Sequence, residues 1–279
     1  MSEDTKASAQ WSSARLRPGM RSVTLPPWIA SLLLLIFLLA VWEAYVRLMH
    51  VNWFILPPPS AVLGEWVRSL GTGRLWYNTG VTVFETLLGF VFAVVLGIGF
   101  GALMGKMRRA EQTLNPFMVA TQVVPKIALI PLLIVWFGFG WTPKVIIAAV
   151  LAFFPILVNT TLGFKSVYRG HREVLMSLNA SRWQTVTQLE FQSALPYILT
   201  GMEMGIVLSI IGAVVGEFLG GSEGLGVLAV REMNAFNTTA LFAVIIHLSI
   251  VGFIFYAILV GSRRFLIPWH ESVQVHDNQ

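Results

Sequence analysis

The 279-residue sequence contains no cysteine and few charged residues, which make up 12% of the chain. Without cysteine there is no disulfide framework and no cysteine-based metal or redox site. Soluble domains usually carry about 25% charged residues, whereas 56% of this chain is hydrophobic and its mean hydropathy is +0.72. These proportions assign the chain to the class of membrane proteins.

Catalytic motifs are missing as well. The five histidines are isolated from one another and the apolar stretches hold no aspartate, so there is neither an HExxH motif nor an intramembrane aspartate pair. The stretch GALMGK (101–106) has three residues between its glycines, and Met107 follows it. A phosphate-binding loop needs four residues there, and then serine or threonine. The sequence therefore predicts a chain that is not an enzyme and binds no ATP, metal or other cofactor itself; close helix packing explains GALMGK better.

Six apolar windows are long enough to cross a bilayer, which takes about 20 residues. No small-residue cleavage site follows the first window, so we expect an uncleaved span rather than a signal peptide. Pro125, Lys126 and Pro131 interrupt the third window, which is the weakest of the six. The windows are 28–49, 79–104, 116–137, 143–164, 195–219 and 239–261. We expect a disordered N-terminus at 1–27, a transmembrane domain at 28–264 and a C-terminal tail at 265–279.

The basic residues indicate the orientation of these spans. With the N-terminus inside, thirteen of the 19 lysines and arginines fall in inner segments, which satisfies the positive-inside rule. Both termini are therefore expected in the cytoplasm. The net charge of +5 reflects this bias, and no nucleic-acid partner is predicted. The inner residues are Lys6, Arg15, Arg17, Arg21, Lys106, Arg108, Arg109, Lys165, Arg169, Arg172, Arg182, Arg263 and Arg264.

A polar segment, EVLMSLNASRWQTVTQLEFQSALP (173–196), separates the fourth and fifth windows. A short helix starting near Glu173 can end at Asn179, because asparagine tolerates the left-handed conformation that closes helices. Ser181 and Gln184 then have the spacing of a capping box, which begins a second helix. The result is a helix, a sharp turn and a helix. Such a corner suits insertion into a groove on a cytoplasmic protein; a hairpin lying on the bilayer surface is the alternative.

This segment resembles the conserved cytoplasmic loop of binding-protein-dependent ABC importer permeases, whose pattern runs E-A-A, three residues, G, then a proline-bearing entry to the next span. Glu173 matches the glutamate, 180–184 matches the residues after the glycine, and 194–198 matches the entry. Asn179 replaces the glycine. The further departures are Val174 and Leu175 for the alanines, and Gln192 where a first proline is common.

The resemblance runs from about Pro57 to Pro268 and is strongest to the nitrate, sulfonate and taurine permease group, which includes permeases for pyrimidine thiamine precursors and riboflavin. LPPPSAV (56–62), PKIALIPLLIVWFGFG (125–140) and GEFLGGSEGLG (216–226) support it by their order and spacing. It implies an all-α, six-span type I ABC importer permease fold in the bacterial inner membrane. The coupling loop, at about 165–194, would comprise Glu173, Leu178, Asn179, Ala180, Ser181, Arg182, Trp183 and Gln184.

The resemblance also implies the partners and the mechanism. Two permease copies would form a homodimer, two cytoplasmic ATPase subunits carrying ATP and Mg would receive the coupling loops, and an extracytoplasmic binding protein would deliver the solute. Transport would proceed by alternating access. The solute would be an aromatic heterocycle, a sulfonate or a nitrate-like anion, with VVGEFLGG (214–221) leaning towards a heterocycle.

Polar residues within spans are costly and usually face protein or water. The candidates for a translocation pathway are Lys126, Asn159, Glu203, Glu217 and His247. Interhelical hydrogen bonding or snorkelling is the alternative for each of them. Glycines recur every four residues in 97–105, 201–205 and 212–220, and we expect most of them to pack helices within one subunit.

Two further expectations concern the outer segments and the function class. Ser60 is expected to cap a short amphipathic helix after the proline run at 57–59. A stand-alone secondary transporter or channel would also need intramembrane charges and broken helices. Such a transporter has no need of the capped cytoplasmic corner, and no internal repeat of three spans is evident in the sequence. It stays the alternative to the importer permease.

Overall fold

The computed structural model describes residues 26–268, and every regular element in that range is helical. The expected features at 1–25 and 269–279 lie outside the described residues. The helices are α1 (Pro27–Leu48), α2 (Pro59–Leu70), α3 (Gly73–Lys106), α4 (Arg108–Val123), α5 (Ile130–Phe137), α6 (Trp141–Lys165), α7 (Arg169–Ser177), α8 (Arg182–Gln184), α9 (Phe191–Gly220), α10 (Leu225–Asn234) and α11 (Thr238–Leu266). A 3₁₀ turn (Lys126–Leu129) precedes α5, and a π-helical stretch (Thr185–Glu190) joins α8 to α9.

Within residues 26–268, five segments are long and apolar enough to cross a membrane, those of α1, α3, α6, α8–α9 and α11. A sixth is broken: α4 and the 126–137 segment meet at a bend of 83°. The break comes at Val124 and Pro125, where the chain becomes extended, because the residue before a proline is disfavoured in helical geometry. The prediction of an all-α, polytopic chain with an interrupted third span is confirmed.

Helix α6 lies at the centre of the bundle, with α3 and α9 packed along it. Glycines permit this close approach. A Cβ placed on Gly101 of α3 would lie 2.6 Å from the Cβ of Thr160, and one on Gly212 of α9 would lie 2.7 Å from the Cα of Ala148. The predicted role of the glycine stripes in packing within one subunit is confirmed at these positions, and GALMGK is part of the α3–α6 contact.

The expected cap of the short helix α2 is wrong. The helix begins at Pro59 with Pro58 as its N-cap residue, and no side chain caps it there. Ser60 lies inside the first turn, where its backbone N–H donates to Glu43 Oε2 at 3.0 Å and its hydroxyl donates to Glu43 Oε1 at 2.7 Å. The carboxylate from α1 therefore satisfies the exposed first turn of α2. A contact between residues seventeen positions apart leaves no local signature in the sequence.

The helices define two ends of the bundle. The corner end holds the last turns of α3 and α6, the start of α9 and the polar corner, by which we mean residues 169–190. The far end holds the first turns of α3 and α6, the 221–224 turn and α10. The two ends carry different polar groups, which we describe in turn.

Candidate functional site

The polar corner has the local geometry that the sequence predicts. Helix α7 ends in a Schellman motif, in which Ala180 N–H donates to Leu175 O and Asn179 N–H donates to Met176 O, both at 3.0 Å. Asn179 has φ +54°, the left-handed conformation that this motif requires. Ser181 and Gln184 form both hydrogen bonds of a capping box. The turn between α7 and α8 is therefore built from local contacts.

Ion pairs fasten this corner to the bundle. Glu190 is buried and lies 2.8 Å from Lys106 Nζ of α3 and 2.9 Å from Arg172 Nη2 of α7. Lys165, at the end of α6, pairs with Glu111 of α4. Because Glu190 is continuous with α9, these ion pairs connect α7 to both α3 and α9.

Apolar side chains are exposed on the outer surface of the corner and have no cover within the described chain. Val174, Leu178 and Trp183 expose 58%, 72% and 75% of their surface. A tryptophan and two aliphatic side chains on a rigid, charged turn have the composition of a protein-docking surface, since tryptophan is enriched at binding hot spots. Every residue predicted for the coupling loop lies in this corner, with Glu173 on α7 and the other seven residues between Leu178 and Gln184. Their coupling role stays a prediction.

At the far end, side chains from α3 and α9 hold the start of α10. The backbone N–H groups of residues 224, 225 and 226 donate to Asn78 Oδ1, Thr82 Oγ1 and Glu217 Oε2, at 2.8, 2.8 and 2.5 Å. Thr82 also donates to Glu217 Oε1 at 2.6 Å. A carboxylate at this position satisfies a helix N-terminus, whose first N–H groups lack intrahelical partners. The 221–224 turn is thereby fixed onto the bundle.

A buried ion pair lies beside this network. Lys144 Nζ of α6 is 2.5 Å from Glu85 Oε1 of α3, and both side chains are nearly inaccessible. Lys144 also donates to the backbone carbonyl of Glu223 at 3.2 Å. Glu217 is a second buried acidic residue at this end of the bundle. Four elements, α3, α6, α9 and the 221–224 turn, meet at this cluster.

The cluster borders an open cavity of about 530 Å³ between the first turns of α3 and α6 and the 221–224 turn. We call it the far-end cavity. Its lining is rich in aromatic side chains and includes the ion pair. The lining residues are Trp76, Tyr77, Gly80, Val81, Phe84, Glu85, Gly140, Trp141, Lys144, Ser222 and Glu223.

The predicted pathway residues do not form one site. Glu217 belongs to the far-end network, and the buried His247 contacts Thr79 Oγ1 through Nε2 at 2.9 Å. Glu203 pairs with Arg263 Nε at 2.5 Å, between α9 and α11. Asn159 donates to Pro155 O on its own helix at 2.8 Å.

Lys126, the fifth predicted pathway residue, opens the 3₁₀ turn after the bend. Its ammonium group lies 4.7 Å from the ring centroid of Phe154 on α6, a cation–π distance. The assignment of all five residues to a pathway stays a prediction. Each nevertheless contacts a named protein group, and the contacts of Glu203, Glu217 and His247 run between helices.

Sequence reasoning missed Lys144, which it placed at a span edge and which is 4% exposed. It also missed the polar stripe of α3, where Asn78, Thr82 and Glu85 recur at intervals of four and three residues. That spacing puts them on one helix face and was the available signal. Among the described residues, no group of three metal-liganding side chains is present.

Comparison with known proteins decides the family. Residues 93–267 match the family described as "Binding-protein-dependent transport system inner membrane component". The chain belongs to this family. It is a permease component of an ABC importer for small solutes, as the sequence resemblance implied.

Three relatives match nearly the whole permease. The riboflavin transport system permease protein RibX of Chloroflexus aurantiacus is 36% identical, covering 92% of this chain and 97% of the relative. The formylaminopyrimidine transport permease protein ThiX of Halalkalibacterium halodurans is 34% identical, covering 86% and 95%. The taurine transport system permease protein TauC of Escherichia coli is 30% identical, covering 92% and 94%.

A solved structure, the inward-facing MetNI methionine ABC transporter, superposes with a TM-score of 0.59 at 18% identity and covers 69% of this permease and 96% of that chain. At this identity the likeness concerns the fold. Together with the five or six spans of the permease, it confirms the predicted type I ABC importer permease fold.

Proposed function

We propose that this permease works as a homodimer in the bacterial inner membrane, with two cytoplasmic ATPase subunits docked on its polar corners and an extracytoplasmic binding protein at the far end. The termini would then lie in the cytoplasm. ATP and Mg would be bound by the ATPase subunits. The polar corner carries this proposal, because it is locally capped, ion-paired to α3 and exposes Val174, Leu178 and Trp183.

The packing supports a rigid-body form of alternating access. Glu190 joins the corner to α3 through Lys106 and to α7 through Arg172. The glycine-mediated contacts then join α3 and α9 to α6 along their lengths. A corner moved by closure of the ATPase subunits would therefore carry α3, α6 and α9 together, since close-packed interfaces transmit displacement.

The solute proposed for the importer is an aromatic heterocycle, a sulfonate or a nitrate-like anion. The names of RibX and ThiX support the heterocycle, at 36% and 34% identity, and the name of TauC supports the sulfonate, at 30%.

Co-purification of the permease with its ATPase subunit from gentle detergent tests the docking. Trp183→Ala and Glu173→Arg should each abolish co-purification and ATP-driven uptake. For the tryptophan we expect a loss of about 2 kcal/mol or more in binding free energy, the size of a hot-spot truncation. Both side chains are exposed, so the stability of the permease should change by less than about 0.5 kcal/mol.

Trp53→Ala is the matched control, because Trp53 is 58% exposed in the connection between α1 and α2, away from the corner. It should leave co-purification intact. If both corner variants retain the ATPase subunit and normal uptake, the corner is not the docking site. If the unaltered permease purifies without an ATPase subunit under several gentle conditions, the secondary-transporter alternative gains support. Uptake driven by an ion gradient is then the quantity to measure.

A further inference from the structure

The side chains that line the far-end cavity are of the kind that bind a flat molecule. Trp76, Tyr77, Phe84 and Trp141 line it, and each exposes between 52% and 58% of its surface. Phe84 and Trp141 stand edge to face, with ring centroids 6.0 Å apart and planes at 77°. Ligand pockets of about 300–1,000 Å³, lined by aromatic groups with a few polar ones, are typical of small-molecule sites. At about 530 Å³, the cavity falls within that range.

The polar groups of the cavity select against anions. Two acidic residues, Glu85 and Glu223, and one lysine, Lys144, line it. The ammonium group of the lysine is already occupied, since Lys144 Nζ contacts Glu85 Oε1 at 2.5 Å and Glu223 O at 3.2 Å. An incoming anion would find no free cation among the lining residues and would meet the carboxylate of Glu223, and such a mismatch disfavours binding of the wrong partner.

The same groups favour a ligand that donates hydrogen bonds. Glu85 Oε2 is buried and accepts no hydrogen bond from the residues that the structure describes. Leaving a buried acceptor unpaired is costly, so a ligand N–H that gained access to this oxygen through a movement of the lining side chains would form a hydrogen bond with it. Glu223 is held at the rim, where Tyr77 Oη donates to its Oε2 at 2.8 Å. Glu223 therefore offers an accessible acceptor at the cavity, and Glu85 offers a buried one.

We propose that the far-end cavity is a solute-binding site of the permease itself, and that it takes an uncharged, planar nitrogen heterocycle bearing N–H groups. The ring packs among the four aromatic side chains, and its N–H groups face Glu223. The site deepens the proposed importer function, on which it rests, by giving the permease a selectivity of its own for heterocycles over sulfonates and nitrate.

Riboflavin fluorescence supplies the direct test, using the purified full-length permease in lipid nanodiscs without ATPase or binding protein. Stacking on tryptophan quenches the flavin, so the unaltered permease should quench riboflavin saturably. Formylaminopyrimidine should compete, whereas taurine and nitrate should not. Trp141→Leu should weaken the apparent affinity about tenfold or more, because one base–aromatic stack contributes that much.

Trp28→Leu is the matched control, since Trp28 is 69% exposed at the start of α1 and does not line the cavity. It should leave the titration unchanged. Glu223→Gln keeps the shape of an exposed side chain and removes its charge, so it should weaken heterocycle binding and lessen the discrimination against taurine and nitrate. Circular dichroism and gel filtration should show that each variant is folded.

Three results would overturn the proposal: no saturable quenching by the unaltered permease, equal effects of Trp141→Leu and Trp28→Leu, or displacement of riboflavin by taurine or nitrate. None of these three results tests the docking role of the polar corner, which ATPase co-purification tests. Failure of the cavity proposal and failure of the importer proposal are therefore separate experimental results.

Discussion

The ion pair between Lys144 and Glu85 provides the sharpest test of how the bundle is held together. Both side chains are at most 5% exposed, and the charged atoms lie 2.5 Å apart. Removing one partner of a buried pair leaves an uncompensated charge and costs about 3–5 kcal/mol. We therefore expect Lys144→Met to lower the free energy of unfolding by about this amount, a factor of roughly 10²–10³·⁵ in the equilibrium constant at about 1.4 kcal/mol per tenfold.

The double variant makes the prediction specific to the pair. Replacing both members of a buried pair by apolar residues of similar volume is often neutral, so Lys144→Met with Glu85→Leu should recover most of the loss. It should stay about 1 kcal/mol below the unaltered permease, because the hydrogen bond from Lys144 to Glu223 O is also lost. The positive coupling between the two substitutions is the measured signature.

Unfolding by denaturant in detergent micelles, followed by tryptophan fluorescence, measures these differences. Arg68→Met is the control, because Arg68 pairs with Glu65 on α2 at 2.8 Å but has 78% of its side chain exposed. Exposed pairs contribute about 0–1 kcal/mol, so this variant should be nearly neutral. Equal effects of Lys144→Met and Arg68→Met, or a double variant less stable than either single variant, would refute the reasoning.

Three further predictions concern packing, the turn and the cap. Gly101→Ala should lower the free energy of unfolding by about 1–3 kcal/mol, since its Cβ would press on Thr160 across the α3–α6 contact. Gly99→Ala is the control and should be neutral or stabilising, because a Cβ there has no neighbour within 4 Å. Thermal unfolding compares the two variants. Asn179→Gly should keep the corner intact and Asn179→Val should loosen it by about 1–2 kcal/mol, read by hydrogen exchange at 169–190. Ser181→Ala should cost about 1 kcal/mol of local stability in the same exchange measurement, with Ser177→Ala as a neutral control.

Features that depend on residues close together in the sequence could be predicted from the sequence. The spans follow from apolar length, because a helix is the structure that satisfies every backbone group in lipid. The left-handed Asn179 and the capping box of Ser181 and Gln184 also follow from local chemistry, since their partners lie within five residues. The interruption of the third span followed from Pro125, whose ring restricts the residue before it.

Tertiary structure decided which distant groups meet. Ser60 resembles a helix cap in the sequence, yet it bonds to Glu43 of another helix. Glu217 holds the start of α10, and Lys144 finds Glu85 at a distance of 59 positions along the chain. These contacts depend on the relative rotation and axial position of α3, α6 and α9, which the glycine contacts fix. The sequence of one helix does not specify that arrangement.

The sequence by itself determined a helical membrane protein with a capped polar corner, because hydrophobicity and hydrogen bonding within a turn act over short stretches of chain. Only the packed bundle decided that Lys144 pairs with Glu85 and that four aromatic side chains line a cavity beside this pair. The physical reason is that burying an unpaired charge costs a large free energy. The group that compensates the charge must be close in space, and it need not be close in the sequence.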